Sequence, residues 1–191
     1  VRAREDWRAA KEIEQVAEAL GVKSATWTVS QGGRVPKASQ GLAPTPTKDP
    51  LAAIRDDVRK FPDEGVYALV NFHRFLDDPE MIQTVKDTVQ IAKGSNKTLV
   101  FICNVQKVPP ELNDDLSIME FGLPDRDLLK ERVLFMQDSL KDSITVVENG
   151  LMDQLVDSAL GMSTWEAENA LALAAVETGA FDPKVISREK A

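Results

Sequence analysis

The chain has 191 residues, of which 43% are hydrophobic and 28% are charged, and its formal net charge is -8 at pH 7. This composition is typical of a soluble globular protein with one sizeable core, or with a core and a small second domain. An acidic chain repels nucleic-acid phosphates, and no cluster of Lys and Arg interleaved with aromatic residues occurs. We therefore expect no nucleic-acid-binding patch.

The number of cysteines and the hydropathy of the chain indicate which cellular compartment to expect. The single cysteine, Cys103, excludes an internal disulfide and suits a reducing cytoplasm. No apolar stretch approaches the roughly 18 residues that span a membrane, and no signal-peptide pattern occurs. We therefore expect a cytoplasmic protein that does not bind a membrane. The sequence starts at Val1 without a methionine and enters a helical pattern almost at once, so we also expect it to be a fragment, or the ordered part, of something longer.

The first 48 residues predict a helix, a strand and a loop. Residues 4–21 carry apolar residues at helical spacing, and Gly21 is a typical helix stop. The face predicted to be buried consists of Ile13, Val16, Ala17 and Leu20. Residues 24–30 alternate in polarity and are rich in β-branched side chains, which favours a strand. Residues 31–48 hold three glycines and three prolines without periodicity, and predict a long exposed loop.

Helical and apolar extended patterns alternate in the residues that follow. Asp49 and Asp78 each precede a proline and a helical apolar stripe, which is the pattern of a capped helix start. Continuous apolar runs predict strands at residues 66–72, 97–104 and 116–121. Strands that are apolar on both faces and alternate with helices are typical of a parallel sheet covered by helices on both sides. We therefore predict an α/β fold for residues 1–122.

After Pro124 the pattern becomes helical. Apolar stripes at helical spacing follow in residues 125–140, 149–161 and 163–179. Ser163 and Glu166 have the spacing of a capping box, and Gly179 is placed to end that helix. We predict a small helical domain for residues 123–191.

Candidate catalytic side chains lie just after one apolar run, in the stretch VNFHRFLDDPE. Chemistry in α/β proteins collects at the carboxyl ends of strands, so His73 is the candidate general base. It has no second histidine and no cysteine at ligand spacing, which argues against a metal site and favours a structural or surface histidine. The acidic residues 77–80 are also an ordinary helix start, because carboxylates favour the positive end of the helix dipole. Cys103 lies within an apolar strand, which favours a buried, unreactive thiol.

The sequence contains no phosphate-binding loop. Neither G-x-x-x-x-G-K-[ST] nor G-x-G-x-x-G occurs. The stretch KGSNKT runs from a predicted helix into a predicted strand, whereas a phosphate cradle needs a strand, then a glycine loop, then a helix N-terminus. The residues alone therefore identify no enzyme.

The order of several sequence blocks is more specific than any single block. The blocks VRAREDWRAAKEIEQVAEALG, DDPE, PPEL, LPDR and GMSTWEAENAL resemble successive blocks of one group of AAA+ ATPases, first catalogued as hypothetical chloroplast open-reading-frame proteins. Members occur in plastids, cyanobacteria, other bacteria and phages. The resemblance covers nearly the whole chain apart from residues 31–48. In that family these blocks precede the Walker A motif and form a degenerate AAA-type domain, and a regular AAA+ domain follows. The resemblance implies a RecA/AAA-like sheet in residues 1–122 and a helical lid in residues 123–191.

The resemblance also indicates which residues of this sequence stand at the positions of the ATP-hydrolysis motifs of an active AAA+ domain. In an active AAA+ domain the apolar strand ends in Asp-Glu, whose carboxylates serve magnesium and polarise water. Here YALV is followed by Asn71 and Phe72, a degenerate Walker B pair that binds magnesium poorly and does not activate water. Asn104 matches the position of a polar sensor residue. Residues 113–115 are Asn-Asp-Asp, where an active ring subunit would offer an arginine to its neighbour.

The resemblance therefore implies a non-catalytic N-terminal AAA-like domain that serves oligomer assembly, partner binding or regulation. It implies no cofactor, metal or catalytic residue in this segment, and ATP and magnesium in a downstream AAA+ domain of a homo-oligomeric parent ATPase, in the cytoplasm or the plastid stroma. We predict interface contacts for His73, Arg74 and Arg126. Two alternatives stay open: a stand-alone Rossmann/RecA-like interaction module, and a hydrolase that uses the His73 strand tip.

Overall fold

A computed structural model describes residues 1–36, 47–141, 144, 147 and 149–190. The chain divides into two compact units, residues 1–121 and residues 122–191. The described part of the first unit combines strands and helices, and the described part of the second is helical. None of the described helices is long and apolar enough to cross a membrane.

The strands of the first unit form a sheet that is mostly parallel. They are β1 (Arg2–Ala3), β2 (Ser24–Thr28), β3 (Gly32–Arg34), β4 (Val66–Val70), β5 (Thr98–Ile102) and β6 (Glu120–Phe121). The order β3-β2-β4-β5 is hydrogen-bonded side by side, with β2, β4 and β5 parallel and β3 antiparallel to β2. β1 is parallel to β6, and a bridge between Arg2 and Cys103 joins β1 to the end of β5. The predicted α/β class with a parallel sheet is confirmed.

Helices cover both faces of this sheet. On one face, α1 (Asp6–Ala19) packs against Ala68 and Ile102. On the other face lie α4 (Pro79–Gly94) and a continuous helix made of α2 (Pro50–Ala52), a π-helical turn (Ala53–Asp57) and α3 (Val58–Lys60). Because successive strand residues point to opposite faces, Tyr67 and Leu69 of β4 belong to this second, larger core.

The two aspartate caps are confirmed. The N–H of Leu51 donates to Asp49 Oδ1 at 2.9 Å, and the N–H of Met81 donates to Asp78 Oδ1 at 3.0 Å. Each cap satisfies a donor of the first helical turn that has no partner within the helix. The acidic stretch that begins α4 is therefore a helix start.

The prediction of a loop for residues 31–48 is wrong for its first residues. Gly32–Arg34 form β3, which pairs with Trp27 and Thr28 of β2. Gly32 has a φ of +74°, a conformation that glycine adopts without strain, and this allows the chain to reverse directly after β2. The part of the predicted loop at residues 37–46 lies outside the described residues.

Two further expectations for the first unit need correction. Of the predicted strand at residues 116–121, only Glu120–Phe121 pair as a strand. The predicted buried face of α1 is correct for Ala17 and wrong for Val16 and Leu20, which are 53% and 72% exposed. Ala9 is buried as well, and these small side chains allow the helix to approach the sheet closely.

The second unit packs its helices around a core of its own. The described helices are α5 (Arg126–Ser139), α6 (Asn149–Ala159), α7 (Thr164–Thr178) and α8 (Pro183–Lys190). Leu129, Leu155, Leu171 and Ile186 are fully buried in this core. The predicted capping box is confirmed: Ser163 N–H donates to Glu166 Oε2 at 2.7 Å, and Glu166 N–H donates to Ser163 Oγ at 3.2 Å. Gly179 ends α7 in the left-handed conformation, as expected.

Candidate functional site: the carboxyl edge of the sheet

Three parallel strands of the first unit end at one edge of the sheet. The N–H of Asn71, just after β4, donates to the carbonyl of Ile102 at the end of β5, with a distance of 2.8 Å. The N–H of Ala3, at the end of β1, donates to the carbonyl of Cys103 at 2.8 Å. The residues that follow β1, β4 and β5 therefore meet at the edge where α/β proteins bind their ligands.

The connection from β1 to α1 consists of two residues, Arg4 and Glu5. The Asp6 carboxylate lies in the first turn of α1, where its Oδ1 accepts from the N–H of Trp7 at 2.7 Å. Glu5 is 5% exposed, and its Oε2 accepts from Nε of Arg8 at 2.9 Å. The positive end of this helix is thus occupied by carboxylates of the chain itself. A bound phosphate would need free backbone N–H groups at this place, and would meet negative charge instead.

Asn71 is tied to the start of α1. Its Nδ2 donates to Asp6 Oδ2 at 2.8 Å, across 65 positions of sequence. Asn71 has a φ of +57°, a left-handed conformation that asparagine adopts more readily than most residues. The neutral amide suits this place, because an aspartate here would bring two carboxylates within hydrogen-bond distance. The sequence reading did not identify Asp6. The signal for Asp6 in the sequence is an acidic residue at the start of a helical pattern.

Phe72 belongs to an aromatic cluster in the core. The side chain is fully buried, and its ring centroid lies 5.6 Å from that of Trp27, 5.5 Å from that of Phe75 and 5.7 Å from that of Phe101. Edge-on and tilted contacts of this kind stabilise a core. Phe72 therefore contributes to the packing of the core, and its assignment to a degenerate Walker B pair stays a prediction.

The residues after β5 differ in their exposure. Asn104, the predicted sensor position, is exposed, and its sensor role stays a prediction. Cys103 is half-buried, which is less than the full burial expected for it. Burial raises the pKa of the Cys103 thiol, against the opposing effect of the His73 backbone N–H, so the thiolate is disfavoured.

His73 lies in the interior. Its side chain is 2% exposed, and neither ring nitrogen has a hydrogen-bond partner among the described residues. Burial lowers the pKa of His73, and the positive charges of Arg74 and Lys107 lower it further, so the ring is neutral at pH 7. Of the two expectations for His73, a structural or a surface histidine, this burial supports the structural one. Its predicted interface contact stays a prediction, and it now requires a partner group that enters the interior.

The two predicted interface arginines are both exposed. Arg74 lies in the turn after Asn71, within the first unit. Arg126, in the second unit, forms an exposed ion pair with Asp157. Within the part of the chain that the structure describes, no group of three or more His, Cys, Asp or Glu side chains is arranged to hold a metal ion.

Comparison with known proteins gives consistent matches along the chain. A family model described as "SpoVK-like AAA ATPase, N-terminal domain" matches residues 1–121, and one described as "SpoVK-like AAA ATPase, second domain" matches residues 131–191. An uncharacterized AAA domain-containing protein, ycf46, of Guillardia theta is 30% identical over 127 residues, which are 65% of this chain and 24% of that protein. The similarly named protein of Gracilaria tenuistipitata var. liui is 29% identical over 79 residues, 41% of this chain and 16% of that protein. The matched region thus spans a quarter or less of these relatives.

Proposed function

The chain belongs to the SpoVK-like AAA ATPase family, and from this we propose that residues 1–191 form a non-catalytic AAA-like segment that serves assembly, partner binding or regulation of an ATP-hydrolysing domain elsewhere in the same polypeptide. Family membership confirms the resemblance drawn from the sequence blocks. AAA ATPases use nucleotide and magnesium, so we propose both as ligands of the whole protein and neither as a ligand of this segment.

The observation that carries this proposal is the closed carboxyl edge of the sheet. In a nucleotide-binding AAA domain this edge needs a phosphate cradle and a magnesium-binding carboxylate. Here the two-residue connection of Arg4 and Glu5 leaves no glycine loop, and the Asp6 carboxylate accepts from Asn71 and from the N–H of Trp7. The Asp6 carboxylate that a magnesium ion would use is engaged within the chain, and so is the N–H of Trp7 in the first turn of α1.

The catalytic groups missing from this edge contribute so much to the rate of phosphoryl transfer that no useful ATP hydrolysis remains without them. Removing one transition-state-stabilising group, such as an arginine finger, lowers the rate of phosphoryl transfer by about 10³- to 10⁵-fold. This chain lacks the Walker A lysine, and Asn71 and Phe72 stand at the Walker B position that the family resemblance assigns. The polar contact of Asn71 and the packing of Phe72 instead support an architectural role.

The proposal extends to the rest of the molecule in three ways. The helical unit, residues 122–191, would act as a lid-like module with its own core. The exposed Arg74 and Arg126 would contact neighbouring subunits of a homo-oligomer. The cytoplasm or the plastid stroma would be the compartment.

The test compares the whole protein with a version that lacks residues 1–191. We expect the shortened protein to retain ATP hydrolysis per active site and to lose normal assembly or normal regulation of the rate. The measurements are steady-state ATPase rate and oligomeric mass by light scattering. Loss of all hydrolysis, restored by adding residues 1–191 with magnesium and ATP, would show that this segment contributes chemistry and would contradict the proposal.

The coding sequence that follows Ala191 distinguishes the proposed segment of an ATPase from a stand-alone interaction module. A G-x-x-x-x-G-K-[ST] motif that follows a predicted strand and precedes a helix, C-terminal to Ala191, is the expected result. A stop codon directly after Ala191 would contradict an ATPase partner on the same polypeptide.

A further inference from the structure

A cavity of about 500 Å³ lies on the α1 side of the sheet, between α1 and the strands β2 and β3. Ala25 and Trp27 of β2 belong to the larger core, on the other face of the sheet. Successive strand residues point to opposite faces, so Thr26 and Thr28 point toward α1 and line the cavity. The volume is within the range of about 300–1,000 Å³ that is usual for small-molecule sites. No residue of β1 lines the cavity, so its shape does not depend on the first residues of the chain.

The ionisable side chains that line this cavity carry balanced charge. They are Asp6, Lys11 and Glu14 of α1 and Arg34 of β3. Asp6 is already engaged, because its two oxygens accept hydrogen bonds from the N–H of Trp7 and from Asn71. Two cations and two carboxylates share the lining, so it suits a ligand that is neutral overall or carries one charge of each sign.

Glu14 and Arg34 are neighbours whose hydrogen-bonding capacity is not used between them. Nη2 of Arg34 lies 3.8 Å from Oε1 of Glu14, which is beyond hydrogen-bond distance. This oxygen of Glu14 is buried and has no hydrogen-bond partner among the described residues. A buried carboxylate oxygen without a donor costs free energy, so a ligand that donates to it is favoured. The side chain of Arg34 is 67% exposed and long, so it is able to turn toward an anionic ligand group and bind it with two N–H donors.

Thr26 and Trp7 belong to the neutral part of the lining. Thr26 is 8% exposed, and its hydroxyl is able to donate or to accept a hydrogen bond. Trp7 is 50% exposed, so a large part of its indole ring is accessible to a ligand. Aromatic rings pack favourably against one another in edge-on or offset contacts. The same cavity therefore offers an aromatic surface and a pair of opposite charges.

We propose that this cavity binds a free α-amino acid with an aromatic side chain, in its zwitterionic form. The ammonium group would donate to Oε1 of Glu14, the carboxylate would accept from Arg34, and the aromatic side chain would pack against Trp7. In an α-amino acid both charged groups are attached to the same carbon, which suits the short distance between Glu14 and Arg34. A ligand with a single charge would leave one of these two residues without a partner. The inference goes beyond the proposed function and does not depend on whether the segment binds ATP.

The probe is L-phenylalanine, titrated into residues 1–191 at pH 7 and followed by isothermal titration calorimetry. Its two matched controls keep the aromatic ring: phenethylamine lacks the carboxylate, and 3-phenylpropionate lacks the ammonium group. We expect saturable binding of L-phenylalanine. We expect each control to bind about tenfold more weakly or worse, because each loses one charge-assisted hydrogen bond.

Substitutions of the two charged residues show which end of the ligand each one binds. We expect Glu14→Gln to weaken binding of L-phenylalanine about tenfold and to leave binding of 3-phenylpropionate unchanged. We expect Arg34→Gln to weaken binding of both of these ligands and to leave binding of phenethylamine unchanged. Glu18→Gln is the matched control, since Glu18 is an exposed glutamate of α1 that does not line the cavity, and we expect it to change no affinity.

Three results would overturn the proposal. They are the absence of saturable L-phenylalanine binding, equal affinity for either singly charged control, and equal effects of Glu14→Gln and Glu18→Gln. Circular dichroism of each variant checks that the fold is retained. Because the side chain of Arg34 is exposed, Arg34→Gln keeps the test decisive even if Glu14→Gln unfolds the chain.

Discussion

The carboxyl edge of the sheet and the outer edge of β5 differ in how their polar groups are bonded. At the carboxyl edge, the Asn71 amide donates to the Asp6 carboxylate, and the ring of Phe72, the next residue, packs against that of Trp27. At the outer edge of β5, the N–H and C=O of Leu99 have no hydrogen-bond partner among the described residues. The comparison shows that the side chains at the edge expected for nucleotide chemistry are bonded within the chain, whereas another edge of the same sheet keeps unpaired polar groups.

The largest predicted effect concerns the packing that closes the carboxyl edge. We expect Phe72→Ala to lower the free energy of unfolding by about 3–5 kcal/mol, because it removes a fully buried ring and leaves a cavity. Urea unfolding followed by circular dichroism measures this loss. Phe135→Ala is the matched control, since that ring is 55% exposed, and we expect it to change stability by no more than about 0.5 kcal/mol. Equal effects of the two substitutions would show that Phe72 is not architectural.

The second prediction tests the bond between Asn71 and Asp6. We expect Asn71→Asp to destabilise the protein by about 2 kcal/mol at pH 7, because two partly buried carboxylates would then face each other. The repulsion raises a carboxyl pKa in the folded state. The destabilisation is therefore complete above the raised pKa, and it is relieved as pH falls through that pKa toward the ordinary carboxyl pKa of about 4.

The reversed pair is the control for this prediction. The double variant Asp6→Asn with Asn71→Asp restores one donor and one carboxylate, so we expect it to regain most of the lost stability at pH 7. An Asn71→Asp variant that is as stable as the natural chain, or that gains magnesium-dependent ATP hydrolysis, would contradict the closed-edge account.

A third, smaller prediction concerns His73, which is buried in the first unit. Its pKa is lowered in the folded protein by burial, and then by Arg74 and Lys107. Between the lowered pKa and the ordinary histidine pKa of 6.5, the unfolded chain binds more protons than the folded one. The stability contributed by neutral His73 is thus complete above pH 6.5 and is lost as pH falls through that value toward the lowered pKa.

The check is the pH dependence of the urea midpoint in natural protein and in His73→Phe. We expect the variant to show a shallower loss of stability on acidification through the histidine range, since it has no group to protonate there. Identical pH profiles would indicate that the ring already has a proton-accepting partner or is open to water.

The smallest predicted effect is at the surface of the helical unit. Arg126 forms an exposed ion pair with Asp157, and exposed pairs contribute little to folding. We expect Arg126→Glu to leave the melting temperature of residues 1–191 unchanged, and to shift the oligomeric mass of the whole protein in light scattering. An unchanged oligomeric mass would show that Arg126 does not contribute to the proposed subunit interface.

Local features of this fold could be predicted from the sequence because their causes are local. The caps at Asp49, Asp78 and Ser163 follow from one side chain and the helix that begins beside it. The parallel sheet follows from continuous apolar strands that alternate with helices.

Other features depend on distant parts of the chain. The bond between Asp6 and Asn71 joins residues 65 positions apart, so periodicity carries no signal for it. The burial of Ala9 and the exposure of Val16 and Leu20 depend on how closely α1 approaches the sheet, which side-chain size alone does not indicate. Which strand edges are paired also depends on distant segments, because the sequence pattern of a strand is the same whether its edge is paired or free.

Binding of magnesium-ATP to residues 1–191 tests the central claim most directly. A fluorescent ATP analogue is titrated with the natural chain and with Asp6→Ala, in the presence and absence of magnesium. The account predicts no saturable, magnesium-dependent binding to either form, because the chain's own side chains occupy the carboxyl edge. Tight magnesium-dependent binding to the natural chain, lost in Asp6→Ala, would contradict it.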